Sequence, residues 1–249
     1  MIGVVAKREA LSLFRSPLAW VVLAAVQGLV GYQFLAQIDV FVQYLPRIRS
    51  MPEPPGVVQL VVIPTMGLTA FLMLFLIPLL TMQTLSGERR AGILRLWYSA
   101  PLSLTSLVLG KFVGVMALLS VIWALNALMP LTLLWGTALD LGTYAANLLG
   151  LYLLMAAGTA IGLFFSALTA QPAVAAMGSF ATLLALWLVD WASQLETRAN
   201  LLSELSLLAH FQRLTRGLVT TADVGYFAAL MATALALTLW RLAGDRRAH

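Results

Sequence analysis

The residues able to do chemistry are few and far apart. There is no cysteine, and the two histidines are His210 and the terminal His249, so thiolate nucleophiles, disulfides and cysteine-built metal sites are excluded. A metal or catalytic centre needs clustered ligands, or a nucleophile beside its base. Neither histidine has such a neighbour close in sequence, and His210 reads as an interfacial hydrogen-bonding residue. Gly110-Lys111 invites comparison with a nucleotide phosphate loop, which needs a glycine five positions before its second glycine and a hydroxyl after the lysine. Thr105 and Phe112 stand there. No catalytic, metal-binding or cofactor-binding residue is therefore expected on this chain, and it reads as no enzyme.

What remains is a set of charged and aromatic clusters. One begins Ser86-Gly87-Glu88-Arg89-Arg90-Ala91-Gly92-Ile93-Leu94-Arg95-Leu96-Trp97-Tyr98 and reaches Pro101. Charge comes first, apolar and aromatic side chains follow, and the proline ends the helical pattern. This predicts a short helix lying across a membrane face, where a soluble partner can grip it. A second cluster is Met1 to Arg15. Wound as a helix, it puts Ile2, Val5, Ala6, Ala10, Leu13 and Phe14 on one face and Lys7, Arg8, Ser12 and Arg15 on the other, the pattern of an interfacial helix. A third joins Ser206, His210, Phe211, Arg216 and Gly217 to Asp223, Tyr226 and Phe227.

The elements that hold these clusters follow from composition. The chain has 249 residues, 61% hydrophobic, with 15 Lys and Arg and 10 Asp and Glu. A soluble domain carries roughly a quarter charged residues, so this one belongs in a bilayer. Charge is absent between Arg15 and Asp39, Glu53 and Glu88, Lys111 and Asp140, Asp140 and Asp190, and Asp223 and Arg241. A helix crosses a core ~30 Å thick in ~17 to 25 residues. The 49 residues from Leu141 to Val189 suffice for two crossings, breaking at Gln171-Pro172. Six helices are predicted, near 17–38, 57–85, 104–135, 142–167, 172–191 and 223–241, because lipid-exposed backbone must satisfy its own hydrogen bonds. The run from Leu18 to Leu35 is longer than a signal-peptide core and lacks a cleavage pattern after it, so it is expected to stay as a span.

The connecting segments add detail. Asp39 to Gly56, with four prolines, is expected to be an irregular external cap, and Ser193 to Ala222 to form amphipathic helices at the outer interface. Those helices would gate the outer mouth, bind a partner, or plug the bundle. Pro64, Pro78 and Pro130 should kink their helices. Gly110-x-x-x-Gly114 and Gly158-x-x-x-Gly162 permit close helix approach, within the chain rather than between chains.

Orientation follows from the basic residues. Ten lie at the ends holding both termini and the segment from Ser86 to Ser103, against three acids; five lie opposite, against seven acids. The first end, at +7 against −2, is expected in the cytosol. Positive charge distributed in this way speaks for membrane topology and against nucleic acid.

The Glu88 segment, with Pro101, Ser103 and Gly110-Lys111, resembles the cytoplasmic coupling segment of ABC type-2 transporter permeases. Glu88, Arg89, Gly92, Leu94, Leu96, Pro101, Ser103, Gly110 and Lys111 match, whereas Ile93 and Arg95 stand where that family has Thr and Glu. The Ser206 to Tyr226 pattern is similar to the gliding-motility and nitrous-oxide-reductase-maturation branch, with Leu214 replacing an aromatic. The resemblance covers nearly the whole chain. It implies one all-α transmembrane domain over 1–249: an interfacial helix at 1–16, five spans within 17–191, an external segment at 192–222, a sixth span at 223–241 and a cytoplasmic tail at 242–249.

It also implies a multi-pass protein of a bacterial inner membrane, with both termini cytoplasmic. A second permease chain, identical or paralogous, would pair with it, and a separate ABC ATPase would hold ATP and Mg2+. Residues Glu88 to Trp97 and Pro101 would couple to that ATPase. Membrane lipids and an extracytoplasmic accessory protein are further expected partners. An ion-coupled carrier and a scaffold without cargo are the alternatives; a carrier usually keeps an ionisable residue at mid-depth, and these spans have none.

Overall fold

Prolines and capping residues mark the helix boundaries. The computed structural model describes residues 1–48, 55–94, 97, 103–135, 137, 139–193 and 204–247. Helix α1 (Ile2–Arg15) ends at Ser16, whose extended backbone (φ −75°, ψ 119°) is the conformation a residue before proline adopts. Pro17 then opens α2 (Pro17–Ile48), a position where its missing N–H costs nothing.

Helix α2 runs on through Asp39 and Pro46, which corrects the expected end near residue 38 and, as far as residue 48, the irregular cap expected from Asp39 to Gly56; residues 49–54 of that cap lie outside the described residues. Charge marks where the chain leaves hydrocarbon, and a helix need not stop there. Asp39 accepts a hydrogen bond from Gln43 Nε2 at 2.9 Å, an i, i+4 pair that supports a helix already in a polar environment.

A π-helical turn (Val58–Val62) leads into α3 (Ile63–Thr81), with Pro64 just inside it. That turn already departs from i→i−4 bonding, so Pro64 interrupts no regular ladder. Residues 82–85 turn into the short α4 (Ser86–Arg90). Ser103 caps α5 (Leu104–Leu131) by accepting from Ser106 N, and Pro130 lies just before a 3-10 turn (Thr132–Trp135). Asp140 caps α6 (Leu141–Leu168), taking hydrogen bonds from the Thr143 hydroxyl at 2.6 Å and the Gly142 amide at 3.0 Å. Those donors, Thr143 first, hold its carboxyl below the usual range. Helices α7 (Pro172–Ser193), α8 (Leu207–Thr215) and α9 (Thr221–Arg247) complete the order.

Among the described residues, six helical stretches are long and apolar enough to cross a membrane, and there is no strand. The protein is an all-α integral membrane protein. Helix α6 lies at its centre, packed on α3, α5, α7, α8 and α9. Glycine makes that position possible: a Cβ at Gly158 would sit 2.9 Å from Ile77 Cδ1, and one at Gly162 2.8 Å from Thr81 Cβ. The other glycine pair receives α1, since a Cβ at Gly110 would fall 2.6 Å from Val5 Cβ and one at Gly114 2.6 Å from Glu9 Cβ. Both pairs thus serve packing within the chain.

The apolar face of α1, expected to rest on lipid, is instead partly spent on protein: Val5 and Ala6 are buried, and α1 lies along α5. Gly110 and Gly114 remove the side chains that would have kept it away. Helices α1, α4 and the end of α9 gather at one end of the bundle, where Arg89 Nη2 lies 2.5 Å from Asp245 Oδ2. This is the end that holds both termini.

Candidate coupling site

A five-residue helix such as α4 cannot stand by itself, so its contacts hold it. Ser166, near the end of α6, accepts from the backbone N–H groups of Leu85 and Ser86 at 3.0 Å each and donates to the Met82 carbonyl at 3.1 Å. These satisfy first-turn amides that no carbonyl within so short a helix can reach. At the other end, Ala91 is followed by Gly92 at φ +73°, the left-handed conformation that lets a glycine close a helix.

Lys111 is the centre of the site. Its side chain is 1% exposed, although it lies near the start of a span. Nζ stands 3.0 Å from Glu9 Oε2, 3.0 Å from Glu88 Oε1 and 2.6 Å from the Thr84 carbonyl oxygen. An ammonium has three N–H donors, and each has an acceptor. Burial of a charge is tolerated only under such pairing. The acceptors come from α1, from α4 and from the turn before α4, so one cation on α5 ties three segments together.

Arg89 makes the second tie. Its Nη2 donates to the Ala167 carbonyl at 2.7 Å and to Asp245 Oδ2 at 2.5 Å, joining α4 to the C-terminal turn of α6 and to α9. The first of these uses the partial negative charge of a helix C-terminus. Asp245 also pairs with Arg241 at 2.8 Å. Leu94 is buried with Leu85, Val108, Leu163 and Leu242. The guanidinium carbon of Arg8 lies 4.9 Å from the Trp97 ring centroid, a cation–π distance.

The other expected coupling residues divide. Ile93 is half-buried, and Arg90 and Gly92 are exposed, as are Lys7 and Arg15 on α1. Arg95, Leu96 and Pro101 lie outside the described residues. Glu9, Ser166 and Asp245 are contributors that sequence reasoning did not single out. Lys111, a matched position of the coupling segment, is a lone lysine near the start of a long apolar helix.

The Ser206 to Tyr226 residues come together at the opposite end. Ser206 caps α8 through Ala209 N. His210 is 2% exposed and Asp223 0%, with Nδ1 at 2.7 Å from Asp223 Oδ1 and Nε2 at 2.9 Å from the Glu204 carbonyl. Arg213 Nε and the Thr220 hydroxyl donate to the same carboxylate at 2.8 and 2.6 Å. Tyr226 stacks on the imidazole at 3.9 Å, and its hydroxyl donates to the Leu205 carbonyl at 2.8 Å. His210 is thus a hydrogen-bonding residue, buried within the protein at that end of the bundle.

Phe211 is buried within reach of Trp187, and Gly217, at φ +82°, lies against Thr143. Arg216 is exposed. Helix α8 therefore packs into the bundle, against α6 and α7. Among the described residues, no three His, Cys, Asp or Glu side chains gather as a metal site would require.

Residues 4–243 match the family model described as ABC-2 family transporter protein. The comparison with curated proteins finds no match.

Proposed function

The chain belongs to the ABC-2 transporter family, and from that premise we propose that it is the membrane-spanning subunit of a transporter whose power stroke comes from a separate ABC ATPase docked on α4. The family supports partnership with such an ATPase. The single observation that carries the coupling role is Lys111, the buried cation that holds Glu88 of α4, Glu9 of α1 and the Thr84 carbonyl at 3.0 Å or less. A force applied at α4 reaches α1 and α5 through ionic contacts and reaches α6 and α9 through Arg89. The ATPase would hold ATP and Mg2+, and a second permease chain, identical or paralogous, would complete the path across a bacterial inner membrane.

The end bearing α1, α4 and both termini is the cytosolic one in this reading, because it carries the excess of lysine and arginine. The carrier alternative is weakened by where the buried charges lie: Lys111 and Asp223 are both near the starts of their helices, away from the mid-depth position that ion coupling uses. The test is Glu88→Lys and Trp97→Ala in cells that also express the ATPase, reading co-purification and transport together. Loss of either is expected. Wild-type values in both assays, for both variants, would remove the coupling role.

A further inference from the structure

A cleft of about 370 Å3 opens between α1, α2, α3 and α4 at the end that carries both termini, a volume within the roughly 300–1,000 Å3 of ligand pockets. Its lining has two characters. Leu76, Leu79 and Leu80 of α3 form an apolar wall, while Arg8, Ser12 and Glu88 form a polar rim. The wall belongs to a span and the rim to the elements at its end, so the change of polarity follows the change from hydrocarbon to headgroup. An apolar wall ending in a polar rim is the pattern that an amphipathic ligand matches.

Charge selects the kind of lipid. Arg8 is the one cation lining the cleft among the described residues. Its guanidinium carbon lies 4.9 Å from the Trp97 ring centroid, its N–H groups are the donors a phosphate would need, and Ser12 follows one turn later on α1. Glu9 and Glu88 also line the cleft, and the buried Lys111 that they share carries one charge against their two. Glu88 is not fully enclosed, its side chain being 14% exposed, so a cation in the cleft can approach its carboxylate. A headgroup that is only anionic would meet this surplus carboxylate charge unfavourably, and one that also carries an ammonium would meet it favourably.

We propose that the cleft is a binding site for one phospholipid with an ammonium headgroup, of the phosphatidylethanolamine class, taken from the leaflet in which α1 and α4 lie. Its phosphate is held by Arg8 and Ser12, its ammonium faces Glu88, and an acyl chain covers Leu76, Leu79 and Leu80. The site goes beyond the transport reading and stands or falls without it.

The purified full chain, stripped of lipid in detergent, is titrated with dioleoylphosphatidylethanolamine or dioleoylphosphatidylglycerol, and retained lipid is counted by native mass spectrometry. The first should be retained at one per chain, at a concentration roughly tenfold below the second, the worth of one charge-assisted hydrogen bond. Arg8→Glu should lower retention of both lipids and Arg8→Lys keep it, whereas Glu88→Gln should erase the preference between them. Ser12→Trp, at an exposed position on the rim, should block retention while leaving the thermal unfolding profile intact. Equal retention of the two lipids, or retention indifferent to Ser12→Trp, would mean annular lipid only and overturn the site. A dimer that forms without lipid and is broken by Ser12→Trp would assign the cleft to a second copy and overturn it equally.

Discussion

Lys111 is where a single side chain bears most on the whole. Replacing it with methionine keeps most of the length and removes the charge, leaving Glu9 and Glu88 facing one another, each 14% exposed. Breaking a buried pair from one side costs about 3–5 kcal/mol. The carboxylates retain some access to water, so Lys111→Met should fall near the lower limit, read as a lowered unfolding temperature in detergent. Adding Glu9→Gln and Glu88→Gln should recover part of the loss, because the orphaned charge is then gone. A triple variant no more stable than the single one would show that the lysine's packing matters more than its charge. Gly217 gives a separate residue-scale expectation. With φ at +82° and a Cβ position 2.7 Å from Thr143 Oγ1, Gly217→Ala should cost about 1–2 kcal/mol for the left-handed backbone alone, and an unchanged unfolding midpoint would contradict it.

Between elements, the glycine pairs make opposite predictions about what comes loose. Gly114→Leu pushes against Glu9 and the Ala6 carbonyl, so α1 should lift from α5 and become the first site of limited proteolysis while the spans stay intact. Gly162→Leu pushes against Thr81 at the heart of the α3 and α6 packing, so it should lower the yield of folded protein instead. These contacts also mark how far the sequence could be read. The spans were legible because hydrocarbon demands an uncharged run of fixed length, and the Glu88 cluster was legible because charge beside aromatic residues stands out against that background. The partner of α1 was not: amphipathicity states that Val5 and Ala6 need cover, but lipid and another helix satisfy them alike. Nor was the burial of His210, since Asp223 and Arg213 reach it only once α8 folds back on the start of α9. The full length of α2 escaped for a further reason, as an apolar run reports the depth of hydrocarbon and Asp39 ends only the run.

At the scale of the whole molecule, exposed apolar surface says little about assembly. Tyr32 and Leu35 on α2, and Met177 and Leu188 on α7, are exposed, yet in lipid such faces need no protein cover, because tails solvate them as well as leucine does. Charge is more informative, since the end with α1 and α4 carries a surplus of bases and the other end a surplus of acids. That asymmetry predicts one orientation, and the absence of native cysteine makes it directly measurable. Arg90 and Arg216 are both exposed and lie at opposite ends of the bundle. In intact cells, a membrane-impermeant maleimide should label Arg216→Cys at once and Arg90→Cys only after the membrane is opened. The inverse pattern would put α4 on the face where no cytosolic ATPase can reach it, and the Lys111 junction would then be a structural anchor with no stroke to transmit.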